Sequence, residues 1–220
     1  MLLDMNGTFM FGHDRLGRDE NFFATYESFG GRNLQREQLL RIMHATCDAL
    51  LREYERPERF DNFPSLTQAL REYGRAEETE IPILQRVFAA HEIGRVPPAH
   101  RTFLQHTART HRLGVVSNIW AESGPWLELL RNDGLLPLFE RAVFSSDGKS
   151  IKPSHALFKC ALSYFPADAA IVFVGDSLTR DIIPAKELGL STVWIAPSGS
   201  AHDAADRVVA DLPDLAQLAA

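Results

Sequence analysis

Five apolar runs, each about five residues long, set the terms for how this chain can fold: residues 1–5, 113–117, 141–145, 170–174 and 191–195. Runs this short, apolar almost throughout rather than at alternate positions, suit strands buried on both faces, and such strands belong to parallel sheets. Helical patterns over residues 125–132, 154–164 and 179–188 separate the later runs. The alternation predicts an α/β fold in which helices cover both faces of a parallel sheet. Gly189 stands where a left-handed helix C-cap falls, and Asp168 sits in the turn before a strand.

Residues 15–96 break that rhythm. They are rich in helix formers over 34–54 and 64–74, and Leu39, Leu40, Met43, Leu50 and Leu51 follow a helical spacing. Pro57, Pro64 and Pro82 mark turns or helix starts, and Pro97-Pro98 marks the return to the sheet. The expected organisation is one core, residues 1–14 and 97–220, interrupted once by a helical insertion over 15–96, with hinges near 12–18 and 96–98.

Composition narrows the class of function. With 45% hydrophobic residues, 24% charged residues and a formal net charge of -6, the chain reads as globular, and it lacks the basic balance of a phosphate-backbone binder. No nucleic acid partner is expected. No apolar run reaches the length of a membrane span, and the opening MLLDMNGTF has neither the basic start nor the cleavage site of a signal peptide, so no membrane partner is expected. Cys47 and Cys160 form no C-x-x-C pair and read as free thiols of a reducing compartment, which gives a cytoplasmic location. The eight histidines show no metal-type spacing. Oligomeric state is left open.

In open parallel sheets ligands bind beyond the carboxyl ends of the strands, so the polar residues that follow four of these runs, directly or through a short loop, carry the chemistry. They are Asp4-Met5-Asn6-Gly7-Thr8, Ser117-Asn118, Lys152-Pro153, and Gly175-Asp176-Ser177 with Asp181. A carboxylate at a strand end attacks phosphorus if a cation and hydrogen-bond donors offset the negative charge of both reactants. Asp4 is placed for that attack. Mg2+ takes oxygen ligands, which Asp4 and Asp176 supply, while Asp181 binds through water or orients the other ligands. Lys152 balances the acids, with Lys149 as a competitor for that role. Ser117 and the backbone N–H of Asn118 hold phosphoryl oxygens, Thr8 is a further phosphate candidate, and Gly7 lets its loop pass close to the substrate.

The motifs DMNGT, VVSN, IKP and VGDSLTRD, in that order over nearly the whole chain, resemble those of the haloacid dehalogenase superfamily. The resemblance implies a Rossmann-like core with an inserted α-helical cap of the family's type-one kind, and a magnesium-dependent phosphohydrolase acting on a small phosphorylated metabolite through an aspartyl-phosphate on Asp4. The alternative activity is that of a 2-haloacid dehalogenase; true dehalogenases of the superfamily work without metal and usually lack the paired acids seen here as Asp176 and Asp181. Phosphatases of the superfamily commonly carry an aspartate two residues after the nucleophile, where this chain has Asn6. Its backbone carbonyl can still bind magnesium, but its side chain cannot shuttle a proton, a loss of roughly 10²–10⁴ in rate. Another acid, a substrate with a good leaving group, a slowly hydrolysed phosphoenzyme, or a binding protein derived from an enzyme are the alternatives. In the segment Phe29-Gly30-Gly31-Arg32, Arg32 is a candidate for reaching a substrate anion, against an ordinary turn.

Overall fold

The computed structural model describes residues 1–218; residues 219–220, the last two of the expected core, lie outside the described residues. The strands are β1 (Leu2–Leu3), β2 (Leu113–Ser117), β3 (Phe139–Phe144), β4 (Val172–Gly175), β5 (Ser191–Ile195) and β6 (Arg207–Val209). They form one parallel sheet in the order β3-β2-β1-β4-β5-β6. The chain starts at the centre, winds outward to β3, then returns to the other side of β1. The reversal between β1 and β4 opens the crevice where such sheets bind ligands.

The period of two along each strand sorts the core into two layers. Leu2, Val116 and Phe173 point to one face, where they pack with Leu157 and Phe158 of α7 (His155–Leu162) and Ala185 of α8 (Ile183–Glu187). Their neighbours Leu3, Val115 and Val174 point to the other. There they join Phe103 and Leu104 of α5 (Pro98–Thr107) and Trp126 and Leu130 of α6 (Gly124–Asn132). Buried residues on both sides explain why the runs are continuously apolar.

Two expectations about strands need correcting. The first run was expected to be extended over residues 1–5, but β1 is two residues long. The main-chain oxygen of Met5 accepts from the N–H groups of Thr8, Phe9 and Met10, and Gly7 takes a left-handed φ of 76°, so the chain curls as soon as it has passed Asp4. The edge strand β6 was not expected. Three residues after Asp206 are too few to carry a periodic signal, and they become a strand by pairing with Val193, Trp194 and Ile195.

Between β1 and α5 the chain forms α1 (Phe22–Ser28), α2 (Arg36–Tyr54), α3 (Leu66–Glu72) and α4 (Ile81–Glu92). In α2 a reciprocal Gln35/Gln38 box starts the helix, and Leu39, Ile42, Met43, Cys47 and Leu50 form its buried stripe. Leu51, counted with the apolar spacing, is 55% exposed. Ser65 caps α3, and Pro82 occupies the first turn of α4, where a missing N–H costs nothing. α5 opens at Pro98, as the Pro97-Pro98 signal predicts.

The two linkers of this helical segment lie side by side. Phe11 and Arg95 exchange both main-chain hydrogen bonds, at 2.9 and 3.0 Å, and the N–H groups of Asp14 and Arg15 donate to the carbonyls of Glu92 and His91. Among the described residues, no helix is long and apolar enough to cross a membrane.

Candidate active site

Asp4 leaves β1 and Asp176 leaves β4, the two strands that flank the reversal, and the N–H of Asp4 donates to the Val174 carbonyl at 2.9 Å. Ser117 ends β2. Asp181 lies in a single π-helical turn, Leu178–Ile182, that precedes α8. One cavity of about 220 Å³ is lined by Asp4, Asn6, Ser117, Asn118, Lys152, Asp176 and Asp181. A wider cleft of about 480 Å³ between Arg95 and Asp133 lies away from these strand ends. Chemistry rather than size marks the site.

Lys152 is its electrostatic centre. The buried ammonium donates to Asp4 Oδ1 at 2.6 Å and to Asp181 Oδ1 at 2.5 Å. Burial by itself pulls a lysine pKa down, but here the charges of Asp181 and Asp4 outweigh it and the net shift is upward, so Lys152 stays protonated. Lys149 is exposed and lines a different cleft, so it does not compete. The Asn118 side chain clasps the Lys152 backbone, accepting from its N–H at 2.8 Å and donating to its carbonyl at 3.1 Å.

One oxygen from each of Asp4, Asp176 and Asp181 lies within 4.8 Å of the others. Loss of water, then the neighbouring carboxylates, pushes Asp176 up to about 7; burial pushes Asp181 up to about 6 against the pull of Lys152. Three carboxylates against one ammonium, offering oxygen donors alone, fit a hard divalent cation such as Mg2+. Asp181 spends both oxygens inside the protein, on Lys152 and on the Ser177 N–H, while Asp176 is exposed. Gly7 and Gly175 permit this crowding: a Cβ at Gly7 would overlap the Asp176 carboxylate, and one at Gly175 would come 2.6 Å from the Asp181 side chain. The Ser117 hydroxyl and the Asn6 side-chain oxygen are buried without a protein partner. An orphaned hydroxyl at the wall is what a phosphoryl oxygen can satisfy.

Two expected phosphate contacts fall elsewhere. Arg32 is exposed and does not line the cavity. The N–H groups of Asn33 and Leu34 fold its loop onto the Tyr26 hydroxyl, leaving Arg32 outside. Thr8 is fully buried beneath the loop rather than on the cavity wall.

Sequence reasoning missed four lining residues, His13, Asp14, Tyr54 and Arg180, and named Ser177 without giving it a role. Ser177 and Arg180 lie inside the quoted VGDSLTRD motif, so their signal was present. Tyr54 ends α2 and carries the helical segment into the site, where its hydroxyl accepts from Asn118 at 2.8 Å. The Arg180 guanidinium lies 3.6 Å over the Tyr54 ring and donates to the carbonyls of Lys152 and Tyr54. Asp14 was seen only as a boundary. Its carboxyl is pushed up, by loss of water first, with His13 opposing and Asp4 adding to the shift.

Glu92, at the end of α4, is a further unforeseen residue. Its buried carboxyl accepts the N–H groups of Trp120 and Ala121 at 2.5 and 2.8 Å, fastening the loop that follows Ser117-Asn118. Desolvation, against those two donors, pushes it up to about 8. A folded-state value above that of the unfolded chain means that this group's stabilisation is full below about pH 4.3, declines above it, and is lost as pH rises through about 8. Urea unfolding across that range should therefore show stability falling with pH more steeply in the parent than in Glu92→Gln. Equal slopes would contradict the assignment.

Trp120 packs against Tyr54, Phe63 and Phe88, and Trp126 is wholly buried, so both serve packing.

The chain is 33% identical over 135 residues to glyceraldehyde 3-phosphate phosphatase of Pyrococcus furiosus, covering 56% of this chain and 53% of the relative. It is 34% identical over 100 residues to the protein of that name from Methanocaldococcus jannaschii, covering 45% and 43%. The chain thus spans about half the length of the curated relatives it matches. Among solved structures it is similar to a HAD phosphatase of Thermococcus onnurineus (23% identity, TM-score 0.63). It is equally similar to a 2-haloacid dehalogenase of Pseudomonas syringae pv. Tomato (23% identity, TM-score 0.64), and each match covers 99% of this chain and 96% of the other. One fold thus serves two chemistries. The family model for haloacid dehalogenase-like hydrolases matches residues 20–195, most of the chain, and with the strand order and the clustered acids already described, the chain belongs to the haloacid dehalogenase-like hydrolase family.

Proposed function

We propose that the protein is a magnesium-dependent phosphohydrolase that moves the phosphoryl group of a small monoester first to Asp4 and then to water. The observation that carries this reading is the buried bridge from Asp4 through Lys152 to Asp181, with Asp176 beside it. Lys152 ties down Asp4 Oδ1, and Oδ2 attacks phosphorus as the bond to the leaving oxygen breaks. Ser117 and the Asn118 N–H receive phosphoryl oxygens while Lys152 offsets their charge. Asp4, Asp176 and the main-chain carbonyl of Asn6 would hold Mg2+, which when bound would supply the positive charge that lets a phosphate approach these carboxylates. Asp181 orients Lys152 and the Ser177 loop. Asn6 donates no proton to the leaving group, which favours leaving groups that need little help.

Residues 15–96 serve as a cap over the core of 1–14 and 97–220, reaching the cavity through Tyr54. The partial matches to glyceraldehyde 3-phosphate phosphatases and the cavity's modest volume support a small phosphorylated metabolite. The separated cysteines support a cytoplasmic location. Dehalogenase chemistry is disfavoured, because a metal-free cluster of three carboxylates repels a haloacid anion.

Phosphate release from glyceraldehyde 3-phosphate and p-nitrophenyl phosphate, with magnesium and with EDTA, tests the reading. Release should require magnesium. Asn6→Asp should raise kcat up to roughly 100-fold, more on the alkyl ester than on the aryl ester. Halide release from 2-chloropropionate in EDTA, without phosphate release in magnesium, would replace this reading with dehalogenation.

A further inference from the structure

The charges around the cavity are fully committed on one side. Its cationic side chains are Lys152 and Arg180. Lys152 is held between Asp4 and Asp181. Arg180 is stacked on Tyr54, donates to two main-chain carbonyls and reaches Glu55 at 3.1 Å. Neither is left to receive a second anion, and Arg32 lies outside.

Asp14 is in the opposite condition. It lines the same cavity as Asp4 and Asp176, from the linker that leaves the core for the helical segment rather than from a strand end. The His13 ring lies 3.5 Å away, and the Asp14 side chain is 54% exposed. Its backbone φ is 53°, in the left-handed region that side chains other than glycine seldom adopt. Its N–H is tied to the Glu92 carbonyl, which holds that conformation. A strained residue kept in place at a cavity wall points to a use for its side chain.

We infer that Asp14 is a specificity-determining residue that rejects substrates with a second anionic group. The inference rests on the phosphohydrolase reading. The accepted class is phosphate monoesters of neutral polyols or of amino alcohols; esters whose leaving group carries a carboxylate or another phosphate meet a carboxylate with no free cation to receive them. One like charge several ångströms away, at an intermediate dielectric, amounts to about 30-fold in kcat/KM.

The test compares glycerol 1-phosphate, phosphoethanolamine, 3-phosphoglycerate and p-nitrophenyl phosphate, with saturating magnesium at pH 8 and at fixed ionic strength. The parent should use 3-phosphoglycerate about 30-fold less well than glycerol 1-phosphate. Asp14→Asn, which tolerates the left-handed backbone, should narrow that ratio by about 10-fold, chiefly through KM, and should cost phosphoethanolamine some of its standing against glycerol 1-phosphate. Asp14→Gly, which relieves the backbone and removes the charge, should do the same. Brisk hydrolysis with a ratio near one in the parent, or a ratio unmoved in both variants, overturns the role of Asp14 alone. Hydrolysis of none of the four overturns the phosphohydrolase reading and this inference with it.

Discussion

Asp4→Asn should lower kcat for magnesium-supported phosphate release by at least ~10⁴-fold, because no neighbouring group can replace the attacking oxygen. The same substitution should leave the protein as stable as the parent, or more so, when magnesium is absent. Asp4, Asp176 and Asp181 crowd their carboxylates within 4.8 Å, and removing one charge relieves repulsion on the other two. Lys152 keeps its bond to Asp181. Activity and stability thus move independently, and thermal melting beside single-turnover kinetics reads both. More than about 1% residual turnover, free of contaminating phosphatase, would remove Asp4 from the nucleophile's role.

Lys152→Met is expected to damage both. The ammonium is 3% exposed and bonded to two carboxylates, so its loss strands two buried charges, a defect of about 3–5 kcal/mol. For a chain of this size that is a fall in Tm of roughly 6–20 °C near pH 8. Lowering the pH should restore part of it. Asp181 is pushed up to about 6 even beside Lys152, and removing the cation raises it further, so protons can stand in for the lost charge as pH falls through that range. Saturating magnesium should also restore part of it. Lys149→Met, at an exposed position, should change neither stability nor turnover. A Lys152→Met protein as stable as the parent at pH 8 without metal would mean that the bridge does not hold the carboxylates as described.

The residues of the four motifs were legible because each follows an apolar run, and a parallel sheet gathers its strand ends on one side. That logic placed Asp4, Ser117, Lys152, Asp176 and Asp181 around one cavity without knowledge of the turns between them. It failed where position depends on tertiary contacts. Arg32 was chosen for its charge and a glycine-rich neighbourhood, but the Tyr26 hydroxyl and Glu80 organise that loop elsewhere, through pairings 7 and 54 residues apart. His13 and Asp14 carry no motif, and a left-handed φ at an aspartate has no sequence signature. Glu92 reads as an ordinary polar residue at a helix end, and its role depends on two N–H groups 28 and 29 residues away. The edge strand β6 owes its existence to β5 more than to its own three residues.

The paired linkers carry a mechanical consequence. Because Phe11 and Arg95 are hydrogen-bonded across, and the rungs continue at Asp14 and Arg15, the two linkers of the helical segment form one two-stranded ribbon rather than two separate tethers. A ribbon bends more easily across its flat face than it shears in its plane, so any movement of the helices, once the ties of Phe63 to Lys149 and of Glu92 to Trp120 and Ala121 are released, should be a rotation about a single axis. Such a rotation would carry Tyr54 to and from Asn118 and Arg180 along one arc. Proteolytic cutting of one linker would leave the other strand and its rungs to preserve that axis.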